Sequence, residues 1–532
     1  MQLDGRSLAG TEISADVCII GAGAAGITIA MELTGTPLSV LLLESGGMDL
    51  DAETQQLAQG DITGLGTFPL VASRLRCFGG STGHWGGRCR PFDELDFAER
   101  PWVPHSGWPI TRSDLETHYQ RAQEILQLGP FDYEPRSWDL QDSPPLKLPG
   151  NSVGTRLLQL SPPTRFGIRY RDAILSAPNV RLCLHSNVVQ IVPEPSGKQI
   201  ASLEVATLTG KRFTVRARTY VLATGGIENA RLLLASNRVM PAGVGNDHDL
   251  VGRFYSDHIN LDTAGVFPLQ PNAAAFALYQ QDSRARMRRY LGGSGRPVPV
   301  LGLLDLSAET QKRERTLNYM AELAQTDWDD YFLHAGRFDA ETQTSDGSFS
   351  QRIDEAREIL ATLWHNLSDA VSRAFQDKST HSVFYRILTL QEQAPNPESR
   401  VLLTTRKDRL GMPIASLRWQ LTDLDRHTIR VAVKEIASTF GAAGLARLKA
   451  TFDLDAPAWP IHMQSSWHHC GTTRMHADPS RGVVDADCRV HGLSNLFIAG
   501  SSVFPTNGSA NPTLTLVALS VRLAGHLKRS ST

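Results

Sequence analysis

The chain has 532 residues, 41% hydrophobic and 20% charged, with 53 Lys and Arg set against 55 Asp and Glu. That length exceeds what one compact core holds, so two domains, or one with a large insertion, are expected. Balanced charge gives no field for a polyanion, which excludes nucleic acid as an expected partner, and no run reaches the roughly 18 apolar residues of a membrane span.

Residues 1–17 carry neither a basic stretch nor the apolar core of a secretion signal. Cys18, Cys77, Cys89, Cys183, Cys470 and Cys488 are widely spaced and form no CxxC pair. Such usage suits free thiols in a reducing compartment, and a cytoplasmic location is expected.

Along the chain, 16–21 reads as a short buried strand, followed by a helix from about Ala24 to Leu33 and a second buried strand over 40–44. Strand, glycine turn, helix and strand within about thirty residues make a βαβ unit with a parallel sheet. The turn, Gly21-Ala22-Gly23-Ala24-Ala25-Gly26, fits GxGxxG, and Glu44 closes the second strand. Gly21 permits the tight turn, Gly23 lets backbone approach a pyrophosphate at the helix N-terminus, and Gly26 lets helix and strand pack closely. Glu44 can accept hydrogen bonds from an adenosine ribose. On this segment alone NAD and FAD both remain open.

Residues 74–92, rich in Gly, Ser, Arg and His, read as an ordered functional loop. Segment 183–221 alternates apolar and polar residues as an antiparallel meander does, and 219–224 reads as a buried strand running into Gly225-Gly226 and a helix from about Glu228 to Ser236. The middle, about 260–460, differs: an amphipathic stretch at 352–376, a polar region at 339–350, and strand-like pieces at 382–390 and 400–404. The last seventy or so residues return to apolar strands and glycine turns and end in a helix at about 512–528.

Between residues 327 and 355, Asp327, Asp329, Asp330, Asp339, Glu341, Asp346, Asp354 and Glu355 outnumber Arg337 and Arg352. The plain reading is a solvated acidic surface; the sharper one is a lobe facing a cationic substrate such as an amino sugar. Trp85, Trp328 and Tyr331 are either core residues or flat faces for sugar rings. His462, His468, His469, Cys470 and His476 fit no common zinc spacing, so no metal is expected.

Five segments then stand in order. They are Phe78 to Gly87 with its His84-Trp85 pair, Ala223 to Arg231, Val251 to His258, Glu398 to Val401, and a long C-terminal stretch from His468-His469-Cys470-Gly471-Thr472 to Asn511-Pro512-Thr513. Together they resemble the glucose–methanol–choline (GMC) oxidoreductases. The His84-Trp85 pair and the Asn-Pro-Thr ending are most similar to the pyranose oxidases and related bacterial sugar and glycoside oxidoreductases.

The resemblance implies an α/β plus α+β fold. A Rossmann-like FAD-binding domain would take residues 10–95, 180–258 and 462–530; a discontinuous substrate domain on an antiparallel sheet would take 96–179 and 259–461. It implies FAD, with Gly21, Gly23, Gly26, Glu44, Gly79, Gly80, His84, Val189, Thr224, Gly225, Gly500, Ser501, Pro512 and Thr513 as its contacts. His84 matches a histidine that carries a covalent flavin bond in pyranose oxidases. Thr82-Gly83 precede it where Ser-Thr is usual, so a covalent link and a packing contact both stay open.

The resemblance further makes His468 the catalytic base and Asn511 its partner. An imidazole, with an ordinary pKa of about 6.5, suits removal of a hydroxyl proton as hydride leaves the carbon. The implied substrate is a small alcohol, foremost a sugar, glycoside or amino sugar, and oxygen or another acceptor takes the electrons. A non-carbohydrate alcohol, or a non-redox lyase of the same fold, is the alternative.

Overall fold

The computed structural model of the chain describes residues 1–65, 69–270, 273–280, 286–293, 295–326, 384–456, 458–460 and 463–530. The amphipathic stretch 352–376, the polar region 339–350, and the acidic segment with Trp328 and Tyr331 lie outside the described residues.

The apolar runs expected as buried strands form one mixed sheet. Glu12–Ile20 runs parallel to Val40–Leu43 on one side and to Arg212–Leu222 on the other. Val180–Leu184 continues the parallel order beyond Val40–Leu43, Gln2–Asp4 lies beyond that, and Leu496–Ile498 pairs with the end of Arg212–Leu222. Val17–Ile20 and Val40–Leu43 are almost wholly buried, as unbroken apolar runs covered on both faces should be. The expected meander is present: Asn187–Pro193, Ile200–Ala206 and the near end of Arg212–Leu222 pair antiparallel. Within the stretch 219–224, residues 219–222 are the far end of this long strand instead of a strand of their own, and 223–224 lie in the turn beyond it.

Five helices matter here: α1 (Ala24–Glu32), α2 (Glu116–Ile125), α3 (Gly226–Ala235), α4 (Asp423–Ala442) and α5 (Thr513–Ser530). Helix α5 buries Leu514, Val517, Ala518, Val521 and Ala524, one helical stripe, and packs against α1 and α2. The C-terminus thereby returns to the N-terminal βαβ unit.

The second sheet is largely antiparallel. Its order is Ala446–Ala450, Ile259–Pro268, Phe384–Gln391, Tyr319–Thr326, Val298–Leu306, Val153–Leu160 and Arg88–Cys89, with Gln464–Ser465 beside Ile259–Pro268. Period-two alternation assigns its faces. Gln391 donates to the Asp425 carbonyl at the start of α4, so its side of the strand faces that helix. Leu388 and Leu390 fall on the opposite side, where Leu388 opposes Glu322, Leu390 opposes Asn260, and Asn260 opposes Gln464.

One segment sits elsewhere than the sequence suggests. The hairpin Arg400–Lys407 and Pro413–Trp419, expected within the substrate part, pairs in parallel with Gly60–Gly64 and packs on α3. Buried Arg231 of α3 fastens it, donating to the Pro413 carbonyl at 2.7 Å and to Asp408 at 2.6 Å. Among the described residues no helix is long and apolar enough to cross a membrane.

Candidate active site

A cavity of about 660 Å³ opens where the parallel strands end, reached by Ile20-Gly21, Leu43-Glu44, Ala223 to Gly225 and Ala499 to Ser501. Carboxyl ends of parallel strands are where open α/β sheets bind ligands. The three motif glycines have different reasons. Gly21 has φ +103, and a Cβ there would lie 2.6 Å from the Ala223 carbonyl oxygen. A Cβ on Gly26 would lie 1.9 Å from the Gly21 carbonyl oxygen, so helix and turn touch through it. A Cβ on Gly23 would meet no protein atom within 4 Å and would project into open space beside the cavity. Protein packing explains the first two; room for a ligand explains the third.

Glu44 is buried, and its Oε2 accepts from the Ala22 N–H at 3.0 Å while Oε1 accepts from the Gly46 N–H at 3.0 Å and the Ser45 hydroxyl at 3.1 Å. A carboxylate has further lone pairs for ribose hydroxyls. Nearby, Arg74 keeps Nε and Nη1 buried without a hydrogen-bond partner, as do Asn187 Oδ1 and Glu228 Oε2, all on residues lining the cavity. A dinucleotide, with anionic oxygens, hydroxyls and base nitrogens, is the kind of group this wall fits.

Of the other expected contacts, Gly80, His84, Thr224, Gly225, Gly500, Ser501, Pro512 and Thr513 line the cavity. Gly79 and Gly26 do not. Gly79 donates to the Ala22 carbonyl at 2.8 Å, and a Cβ on it would lie 2.5 Å from the Gly167 nitrogen, so its role is close packing. Val189 is also off the wall, while its neighbour Val188 in the strand Asn187–Pro193 lines it. Asn229 locks two cofactor-side turns together, accepting from the Thr224 N–H at 2.8 Å and donating to Ser502 at 2.8 Å.

The sequence reading missed a charged corner. Glu228 pairs with Arg76 at 2.6 Å and Arg231 at 2.8 Å, and these cations hold its carboxyl down to about 2 against its burial. The i,i+3 spacing of Glu228 and Arg231 on a helix was the available signal.

At the far end of the same cavity lies the histidine loop. Trp467 has φ +61, an uncommon backbone state for a bulky residue, and turns the chain so that His468 follows the edge strand Gln464–Ser465. Buried Asp257 anchors the turn: Oδ1 accepts from the His468 N–H at 2.9 Å, and Oδ2 accepts from Ser465 at 2.5 Å and Tyr255 at 3.1 Å. Burial raises Asp257 to about 6. The Asn511 amide nitrogen lies 3.2 Å from His468 Nε2, so the structure brings the two expected catalytic residues together. His468 Nδ1 lies 2.7 Å from Nδ1 of His258, a contact absent from the sequence reading.

Burial, helped by His258, His469 and Arg88, pulls the His468 pKa well below the ordinary imidazole value. The ring is therefore neutral at pH 7 and has a lone pair for a proton. His469 packs its ring against Tyr255 and is pushed down to about 3, chiefly by burial, which leaves it a neutral wall residue. His84 lines the cavity with its ring 5.4 Å from that of Trp467.

Facing this loop is a polar wall from the antiparallel sheet. Arg88 reaches both oxygens of buried Glu322, at 2.9 and 2.7 Å, and Asn260, Gln464, Leu388 and Leu390 complete it. None of these was named from sequence. Among the described residues, no group of three or more His, Cys, Asp or Glu could hold a metal ion.

Residues 16–247 match the family model described as FAD dependent oxidoreductase, and residues 395–520 match the one described as GMC oxidoreductase. The chain is 28% identical to 6'''-hydroxyparomomycin C oxidase of Streptomyces lividus, covering 96% of this chain and 92% of that protein. It is 23% identical to 2-methyl-1,2-propanediol dehydrogenase of Mycolicibacterium austroafricanum, over 97% of this chain and 95% of the other. Its fold is similar to that of an FAD-dependent oxidoreductase from Chaetomium thermophilum, with a TM-score of 0.57, 16% identity, and coverage of 97% and 99%.

Proposed function

We propose that this chain, an FAD-dependent alcohol oxidoreductase carrying the GMC oxidoreductase domain, oxidises a hydroxyl of a sugar, glycoside or amino sugar, with His468 as base and Asn511 as its partner. One observation carries the reading: a single cavity joins the dinucleotide turn to the His468–Asn511 pair and to the polar wall of Arg88, Glu322, Asn260 and Gln464. A polyol donates and accepts at several positions, which such a wall can meet. A purely aliphatic alcohol would desolvate these groups without replacing their hydrogen bonds, at about 1–3 kcal/mol for each group left unpaired. The similarity to an oxidase named for 6'''-hydroxyparomomycin C supports the same class.

FAD would be held by Gly21, Gly23 and Glu44 at one end and by the turns at Thr224-Gly225, Gly500-Ser501 and Pro512-Thr513 at the other. Bound there, it supplies the acceptor of a hydride at its N5. The protein's own groups do the rest. The Asn511 amide fixes the substrate oxygen, which holds the reacting carbon in place. His468 Nε2 takes the hydroxyl proton as the hydrogen of the C–H bond departs with its electron pair and the C=O bond forms. General-base help of this kind contributes about 10²–10⁴ in rate. Oxygen or another acceptor would take up the two electrons. The six cysteines, all buried and free, support a cytoplasmic location.

The test is anaerobic bleaching of the visible flavin band by sugars, glycosides, amino sugars and simple alcohols. Bleaching by one carbohydrate class is expected, and admitting air then separates oxidase from dehydrogenase. A holoenzyme that no member bleaches would contradict the reading. A second reading, a small diol as substrate, is favoured by the apolar strip of Leu388 and Leu390 and by the likeness to 2-methyl-1,2-propanediol dehydrogenase. Bleaching by small diols and by no sugar would select it.

A further inference from the structure

We infer that His258 is a positioning residue that fixes His468 in the tautomer whose Nε2 is bare and turned toward Asn511. The inference rests on the reading of His468 Nε2 as the base and goes beyond it, since it names the neighbour that keeps the hydrogen on Nδ1.

The hydrogen bonds settle the matter one atom at a time. His258 is fully buried, and its Nε2 lies 2.8 Å from the carbonyl oxygen of Gly508 and 3.1 Å from that of Asn507. A carbonyl oxygen can only accept, so this nitrogen carries a hydrogen. In a neutral ring the other nitrogen is then bare. That bare Nδ1 sits 2.7 Å from His468 Nδ1, with the ring planes 81° apart, so the hydrogen between them belongs to His468. A neutral His468 with Nδ1–H has a bare Nε2, and the Asn511 amide N–H at 3.2 Å is a donor suited to it. Donation therefore runs in one direction, from Asn511 to His468 to His258 to the main chain.

The reverse order would need a cationic His258. No carboxylate is among its hydrogen-bond partners, and its burial disfavours the charge. The charged and titratable groups around the pair do not alter this. Arg88 is itself a cation, His469 is neutral, Asp257 is engaged by the His468 main chain, Ser465 and Tyr255, and Glu392, whose charge favours a protonated His258, is held by Arg100. When Nε2 receives the substrate proton, the Nδ1–H of the new imidazolium already has its acceptor in His258. On the Nδ1 side the cation forms without rearrangement; on the Nε2 side the proton takes the place of the Asn511 N–H.

Nitrogen-15 spectra of histidine-labelled holoenzyme test this, with His468 assigned by its loss in His468→Ala. The expected signature is a protonated Nδ1 and a bare Nε2. His258→Leu should slow substrate-driven flavin reduction about 100-fold with little change in KM, and should shift His468 toward the Nε2–H form. His258→Gln should recover at least about tenfold of that loss, because its amide can accept from His468 and donate to Gly508. A native spectrum with Nε2 protonated, or native rates in His258→Leu, would overturn the inference. If His258→Leu fails to fold or to hold FAD, the native spectrum and His258→Gln decide. An active His468→Ala would instead remove the base reading itself, which keeps the two failures apart.

Discussion

At the nucleotide end of the cavity, Gly21, Gly23 and Gly225 bring bare backbone to the wall, and even Glu44 is engaged by two main-chain N–H groups. At the substrate end, the wall facing His468 is made of side chains: Asn511, Arg88, Glu322, Asn260 and Gln464. The two ends should fail differently. A backbone cradle is lost by adding atoms, whereas a side-chain wall is lost by exchanging one polar group for another.

The sharpest contrast lies within the glycine motif. Gly26→Ala should abolish folded protein, because its Cβ would lie 1.9 Å from a main-chain oxygen in a packed βαβ unit. Gly23→Val should instead give folded apoprotein without FAD, since its side chain would fill open space. Yield and circular dichroism report the first effect, and flavin absorbance per protein reports the second. Folded, FAD-loaded Gly26→Ala would break the comparison at its base.

Glu322→Gln probes the other end with a smaller effect. It leaves the Arg88 charge facing a neutral amide where both groups are largely buried, and should cost about 3 kcal/mol of stability. It should also raise KM for a polyol about tenfold while FAD content stays constant. Thermal unfolding and steady-state kinetics measure the two effects; an unchanged KM would take Glu322 out of substrate recognition.

The smallest effect is in the pH profile. Only neutral His468 can accept a proton, and its pKa lies well below 6.5 because burial penalises the charged ring. The reductive rate at saturating substrate should thus stay level from neutral pH through 6.5 and fall only in more acid solution. A rate that halves near pH 6.5 would mean an ordinary, solvated imidazole.

The same division explains what could be read from sequence. Gly21, Gly23, Gly26 and Glu44 are legible because all lie within one βαβ unit, where close packing, room for a ligand and the acidic strand end each dictate a residue type at a fixed spacing. His468 and Asn511 became legible through family resemblance, since neither residue alone differs from any polar loop position. Val189 came from resemblance alone, and a sequence without a register does not say which of Val188 and Val189 faces the cavity. Arg88, Asn260, Glu322 and Gln464 come from four strands far apart in the chain and meet only through pairing. His258 lay inside a quoted motif, yet its partner is 210 residues away. The piece at 400–404 read as a strand, but its hairpin partner Pro413–Trp419 was not read, and nothing local announced that this partner would join 60–64.

The central claim is that His468 removes the substrate proton in the step that reduces the flavin. Anaerobic single-turnover reduction by the most effective sugar, compared between the native enzyme and FAD-loaded His468→Ala, tests it most directly. Reduction should be about 10²–10⁴ slower in the variant, with its flavin spectrum intact. Equal rates in the two proteins would contradict it.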